Sequence, residues 1–482
     1  MLSIDEIKRF IEEDHSSAKK RDARKGLEYY EADHDIRNYR LFYYDSDGKL
    51  VEDKTRSNIK IAHPFFTELV DQEVQYMLSG EKPFITSDDP ELQAELDKYF
   101  DDDFEAELNE TLTGAISKGF DYMYAYQNAD DRLSFQNADG LGVVEVRAKD
   151  TDDETEYVIY WYVDRVDKGT KLIKRVQVWD TQQTTFYVMD DKGKLTKDES
   201  VEINPRPHVI YKKDGDAATY FEEFGYIPFF RLDNNRKQQS SLKPVKALID
   251  DYDLMSCGLS NNLQDVAEGI YVVTGFQGDN LDELIQNVKV KKHIGVDADG
   301  GLDIKTIDVP YDARKTKLEL DEKNIYRFGM GFNAAQVGDG NITNVVIKSR
   351  YALLDLKCNK LEIRLKQFLR KLIKAVLAEI NERNETDYTE RDVKIVFTRE
   401  VMTNAQDNAT IKRTDAETQQ IRITTLLNVA SVLDDETVVQ GICDILDVDY
   451  DEIKDRLPEN PEAELRGAMG ALGAAEVTDD EL

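Results

Sequence analysis

Histidines and cysteines are the side chains most often recruited as metal ligands or nucleophiles, and this chain has five of the first and three of the second. His15, His34, His63, His208 and His293 form neither an HExxH pair nor a Cys/His cluster, so zinc chemistry has no foothold. Cys257, Cys358 and Cys443 lie far apart, show no CxxC spacing and fall in helical patterns, which fits a reducing cytosol without a disulfide framework. Gly329, Gly331, Gly338 and Gly340 crowd one loop, but no Lys-Ser/Thr follows to make a phosphate cradle. Asp447, Asp449 and Asp451 open like a calcium loop, yet Glu452 holds the glycine position and Pro458 that of the closing glutamate. There is no GxSxG elbow. Acidic groups such as Asp101 to Asp103, or Asp250 with Asp251, are the one route to a magnesium-dependent nuclease or nucleotidyltransferase, though acidic runs usually face solvent. The expectation is therefore a chain that is not an enzyme and carries no metal and no cofactor.

Charge says more. The 63 Lys and Arg against 97 Asp and Glu give a formal −34, which excludes a protein that coats nucleic acid. Against that background, residues 347–383 hold ten Lys or Arg and four Asp or Glu, a local excess of six positive charges. Arg350, Lys357, Arg364 and Lys371 recur every seven residues and so form a slowly drifting stripe on one helix. Such a stripe is a solvated or intersubunit face meeting the acidic remainder, or else a ring of charge around a passing polyanion.

The elements that must position these residues read as α+β, mainly helical. At 482 residues with 40% hydrophobic residues the chain is too long for one core. A charged helical segment covers 1–35, a hairpin turns at Asp47-Gly48, and helices follow at 64–78 and 104–118. Alternating stretches such as "EYVIYWYVD" and "TTFYVMDDKGKLT" then make a meandering antiparallel sheet up to about Asn235. A helix over 242–268 spans roughly 40 Å. After it come a small module at 270–310, with strands turning at "DADGG", and a polar helix from Tyr311 whose apolar line is Tyr311, Leu318, Ile325 and Phe328. The longest helix, 347–383, reaches about 55 Å and buries Leu354, Leu361, Leu365, Phe368, Leu372 and Val376. A short strand "VKIVFTR", a helix over 416–433, two short helices and an acid-rich tail complete the chain; no run is long enough for a membrane span.

This order of elements, with "LEYYEADHDI", "NIKIAHPFFTELVDQEVQYMLSGEKP", "FGYIPFFRLDNN" and "DLMSCGLSNNLQDVAEGIYVVTGF", resembles the portal proteins (head-to-tail connectors) of tailed bacteriophages, in the siphophage branch of Gram-positive hosts. The resemblance runs from about residue 27 to 380 and implies a portal fold, with wing, stem, clip and crown, in a dodecameric homo-oligomeric ring around a channel. On this sequence it implies an N-terminal arm and wing at 1–235, a first stem helix at 236–269, a clip at 270–310, a second stem helix at 311–329, a tunnel loop at 330–346, a long wing helix at 347–383, and a crown and tail at 384–482. Val337, Gly338, Asp339, Gly340, Asn341 and Ile342 would then face DNA from the tunnel loop. Arg314, Lys315, Lys317 and Lys323 are the channel-facing candidates of the stem, and Gln277, Asp279, Asp282, Asp297 and Asp299 those of a clip that docks terminase or adaptor.

The implied function is a portal at one capsid vertex of the virion, assembled in the host cytoplasm. Double-stranded DNA passes it, driven by the terminase large subunit and later ejected. Its further partners are a head-completion adaptor and the major capsid and scaffolding proteins, with no membrane. A scaffolding protein without a channel is the alternative alongside the nuclease. The helix at 246–268 is oddly poor in bulk, with Ser256, Cys257, Gly258, Ser260, Asn261 and Asn262 at its centre. In a ring, those small residues would let copies of the same helix approach closely.

Overall fold

The charged N-terminal stretch is two helices, α1 (Ile4–Ser16) and α2 (Ala18–Tyr30), rather than one. Between them Ser17 is extended, and its hydroxyl accepts the Lys20 amide at 3.2 Å, capping α2. This is a computed structural model; it describes residues 2–54, 56–80, 82–128, 131–148, 154–165, 172–211, 220–266, 270–276, 284, 296–305, 310–333, 344–399, 405–429, 433, 435–446 and 450. It divides into two bodies, one of residues 1–338 with 350–400, the other of 339–349 with 401–482. Helices and antiparallel sheets are mixed throughout the first, as the α+β reading expects.

In the first body β1 (Phe42–Tyr44) and β2 (Leu50–Glu52) form the expected hairpin. α3 (Phe65–Met77), α4 (Pro90–Leu96) and α5 (Asp102–Lys118) follow, with β3 (Ile85–Thr86) between the first two. β4 (Phe120–Gln127) and β5 (Leu133–Ala138) make a three-stranded sheet completed much later by β14 (Phe229–Asp233). The meander is β6 (Val143–Arg147), β7 (Thr155–Arg165), β8 (Leu172–Trp179), β9 (Gln183–Met189) and β10 (Leu195–Lys197), each antiparallel to its neighbour; β11 (Arg206–Pro207) also pairs with β9. β12 (Val209–Tyr211) pairs with β13 (Tyr220–Glu222). Period-2 alternation sends Val144, Ile159, Val176 and Tyr187 to one face, where Ile7 of α1 closes over them. Ala23 of α2 packs on Phe120, Tyr122 and Trp179 in the same way.

The chain next forms α6 (Lys246–Val266), then β15 (Ile270–Phe276) paired with β16 (Val296–Lys305), then α7 (Tyr311–Gly329). The sequence expectation placed a turn at "DADGG". These residues fall within β16, but the register passes from Gly301 opposite Thr274 to Val296 opposite Phe276, so that Asp297 to Gly300 form a bulge at the place where the turn is expected. α8 (Asn344–Asn384) buries Leu354, Leu361, Leu365, Phe368, Leu372 and Val376, the face read from the sequence. The strand expected at "VKIVFTR" shrinks to β17 (Lys394–Ile395), which pairs with β3.

The second body holds α9 (Ala405–Val429), longer than and shifted from the 416–433 expectation, and α10 (Asp435–Leu446), one of the two expected short helices. Leu427, Val438 and Ile442 are buried between them, with Ile423 and Leu426 at the edge. Among the described residues no helix is long and apolar enough to cross a membrane.

Candidate functional site

The bulk-poor centre of α6 is explained first by its own chain. Residues 57–63 run extended along the helix, and every second amide of this strap donates to every fourth side chain of α6. Ser57 N meets Asp265 Oδ1 at 3.2 Å, Ile59 N meets Asn261 Oδ1 at 2.7 Å, Ile61 N meets Cys257 Sγ at 3.2 Å and His63 N meets Asp253 Oδ1 at 3.0 Å. The two periods match because four helical residues rise about 6 Å and two extended residues about 6.6 Å. Short side chains bearing an acceptor are what this zipper requires; a leucine at 257 or 261 would leave a strap amide unpaired.

At the end of the zipper Asp253 is fully buried and takes two histidines, His34 Nδ1 at 2.6 Å and His63 Nδ1 at 2.7 Å. Burial alone would raise the Asp253 carboxyl, but hydrogen bonds from His34 and His63 outweigh it and hold the group below its ordinary range. His34 stacks on Tyr29 at 4.4 Å between ring centres, and its Nε2 faces the Tyr29 carbonyl at 3.3 Å. Ser256 Oγ stands 3.4 Å from His63 Nε2, so Ser256, His63 and Asp253 fall in the order of a hydrolase triad. The serine sits inside a helix, where neighbouring amides are spent on the i to i−4 ladder and none is left to hold an oxyanion. The constellation therefore fastens the strap to α6.

The adjacent side of α6 receives α7. Lys317 Nζ bonds Asp251 at 2.5 Å and also Asp321 on its own helix. The Arg314 guanidinium lies over Gly258, and the Asn262 amide, with its oxygen turned inward, accepts from both terminal nitrogens at 2.7 and 3.1 Å. Two of the four cations proposed to face a channel are thus engaged with α6. Lys315, 4.0 Å from Glu319, and Lys323 remain exposed. The expected apolar line of α7 also needs correction. Ile325 is buried and Leu318 half-buried, but Tyr311 and Phe328 are each 52% exposed, and Asp321, Tyr326 and Gly329 take the buried places.

The basic stripe of α8 is not one surface. Lys357 reaches inward to the buried carboxylate of Glu73 at 2.8 Å and to the Gly329 carbonyl at 3.1 Å. Arg364 is half-buried and Lys371 exposed. A heptad repeat drifts by about 20° per repeat on a straight helix, which turns successive members from the core towards solvent. The Arg350 side chain lies outside the described residues, as do Val337, Gly338, Asp339, Gly340, Asn341, Ile342, Gln277, Asp279 and Asp282. Asp297 and Asp299 are exposed on β16. Sequence reasoning missed Arg399, whose guanidinium gathers Asp355 at 2.8 Å, Asn359 at 2.7 Å and Glu362 onto one side of α8. The i, i+4, i+7 spacing of those three acceptors was the signal available.

Of the carboxylates in the rival nuclease reading, Asp102 and Asp103 are exposed, and the other three are engaged. Asp101 caps α5 through the Phe104 amide at 3.0 Å, Asp250 accepts from Tyr29 and Lys246, and Asp251 holds Lys317. Among the described residues no group of three His, Cys, Asp or Glu is arranged to hold a metal.

Residues 10–459 match the family model described as phage portal protein, SPP1 Gp6-like. The chain belongs to the phage portal proteins. It is 28% identical to the portal protein of Bacillus phage SPP1 over 378 residues, covering 78% of this chain and 73% of that one. It is also 26% identical to the portal protein of Clostridium phage phiCD119 over 428 residues, covering 85% and 89%. The resemblance read from the sequence, and its placement among phages of Gram-positive hosts, are borne out. A portal role in the phage head-to-tail connector follows, and with it a place in the virion and in an oligomeric assembly with capsid and packaging partners.

Proposed function

We propose that this portal chain is the subunit of a twelve-membered ring whose α6 and α7 line a channel for double-stranded DNA. In this reading 1–235 and 347–383 are the wing, 236–269 and 311–329 the stem, 270–310 the clip, 330–346 the tunnel loop and 384–482 the crown with its tail. The observation that carries it is the apolar surface that the α6–α7 pair leaves uncovered. The strap seals one side of α6, while Leu254, Leu263, Leu320 and Phe328 stay between 42% and 56% exposed. Exposed apolar residues on two adjoining helices are what neighbouring copies would cover.

The clip docks the terminase large subunit during packaging and a head-completion adaptor afterwards, and the chain itself performs no catalysis: the terminase supplies the work. A net charge of −34 suits a conduit, because a strongly basic channel would release counterions and hold the duplex fast. Lys315 and Lys323, exposed on α7, are the remaining stem candidates for contact with the duplex.

Native mass measurement tests the ring, since twelve copies of 55.3 kDa weigh about 664 kDa, and averaged particle images should show an axial hole. A monomer, or an assembly without a hole, would favour the scaffolding alternative. Deleting Val337 to Asn341 should leave assembly intact and impair packaging. Charge reversal at Asp279 and Asp282 should weaken adaptor docking.

A further inference from the structure

α8 has a second face. Opposite its buried side, Leu353, Leu356 and Ile363 are 42%, 49% and 61% exposed. On the same side, by the 100° step of a helix, lie the exposed cations Lys360, Arg370, Lys371 and Lys374, which have no ion-pair partner among the described residues. No carboxylate interrupts this face between Leu353 and Lys374, a ridge of about 32 Å. Aliphatic side chains gain nothing from a phosphate backbone but about 25 cal/mol per Å² from an apolar partner, so the combination suits an acidic protein groove.

This chain carries such a groove. Between the end of α3 and the outer side of α5 is a cavity of about 580 Å³, floored by Leu78, Phe84 and Leu108. Its rim is acidic: Lys82 answers Glu105, whereas Asp102 and Glu110 are exposed without an ion-pair partner among the described residues. We propose that the outer ridge of α8 seats in the α3–α5 groove of the neighbouring copy. The inference rests on the ring reading and deepens it. A closed ring is built from a head-to-tail contact in which two different faces of one chain fit each other; these two faces are opposite in charge, and each carries apolar residues for the other to cover.

The test uses the full chain. Lys360→Glu with Lys371→Glu should shift native mass from ring towards the 55.3 kDa subunit, raising at least tenfold the concentration needed for assembly. Adding Asp102→Lys and Glu110→Lys to that variant should restore the ring. Independently, Leu356→Cys with Ala106→Cys should give a ladder of disulfide-linked copies on a non-reducing gel. Rings that persist unchanged in the first variant overturn the proposal, as does reversal without restoration. Rings that persist but pass or bind DNA differently overturn it in favour of a DNA-facing ridge. Cross-linking only within one chain overturns it in favour of an internal contact. A wild-type chain that stays monomeric removes the ring reading itself, a separate result from a ring that ignores these substitutions.

Discussion

Asp253 and His63 are joined twice, with one carboxylate oxygen accepting both the backbone amide at 3.0 Å and the ring Nδ1 at 2.7 Å. That pair of hydrogen bonds fixes where the strap leaves α6 and where α3 begins two residues later. His34 completes the buried carboxylate from the other side at 2.6 Å. Asp253→Ala removes the shared acceptor of both rings and of one amide. It should cost about 3 kcal/mol, as other one-sided deletions of buried charged partners do, read from denaturant unfolding.

The acid limb of stability follows from two carboxylates held low. Asp253 is held down against its burial by the two histidines. Asp35 is likewise opposed by burial but brought to about 2 by Lys246 and Lys25. Both native values lie below the unfolded value near 3.9, so the native state binds fewer protons. Their contribution is present above about pH 4; that of Asp35 is lost as pH falls through about 2, and that of Asp253 as pH falls below the ordinary carboxylate range. Asp35→Asn should lower stability at pH 6 and flatten its decline between pH 4 and 2, measured by thermal unfolding at each pH.

Two helix glycines should respond in opposite ways. A Cβ on Gly26 of α2 would lie 1.9 Å from the Ser117 carbonyl oxygen of α5, so Gly26→Ala must push two packed helices apart and cost about 2 kcal/mol. A Cβ on Gly258 would meet only Arg314 Nη1 at 3.5 Å, so Gly258→Ala should stabilise the subunit by up to about 1 kcal/mol through helix propensity. If Gly258→Ala raises subunit stability yet blocks assembly, the small residue serves contact between copies. Normal assembly would leave its role within the chain.

Lys357 and Glu73 form an ion pair with Glu73 buried. Lys357→Met should cost about 3 to 5 kcal/mol by stranding that carboxylate, and Glu73→Met in the same chain should recover most of it. A Lys357→Met variant as stable as wild type would contradict the inward placement of this lysine.

The strap predicts a local effect. Asn261→Ala leaves the Ile59 amide without its 2.7 Å acceptor, so amides of residues 57–63 should exchange with deuterium at least tenfold faster while the sheet core is unchanged.

The sequence by itself determined the kinds and order of the elements and the buried line of α8, because apolar periodicity and turn residues act locally. It also determined the family, through motifs spread along most of the chain. It did not reveal the break at Ser17, which depends on one hydroxyl cap, or the bulge that keeps "DADGG" within the single strand β16. Nor could it divide the small residues of α6 between a strap nearly 200 positions away and a guanidinium on α7, or turn Lys357 inward and leave Lys371 outside. Those partners are set by which segments folding brings together. A side chain's charge and length are written in the sequence, whereas the acceptor or cavity it meets belongs to the tertiary structure.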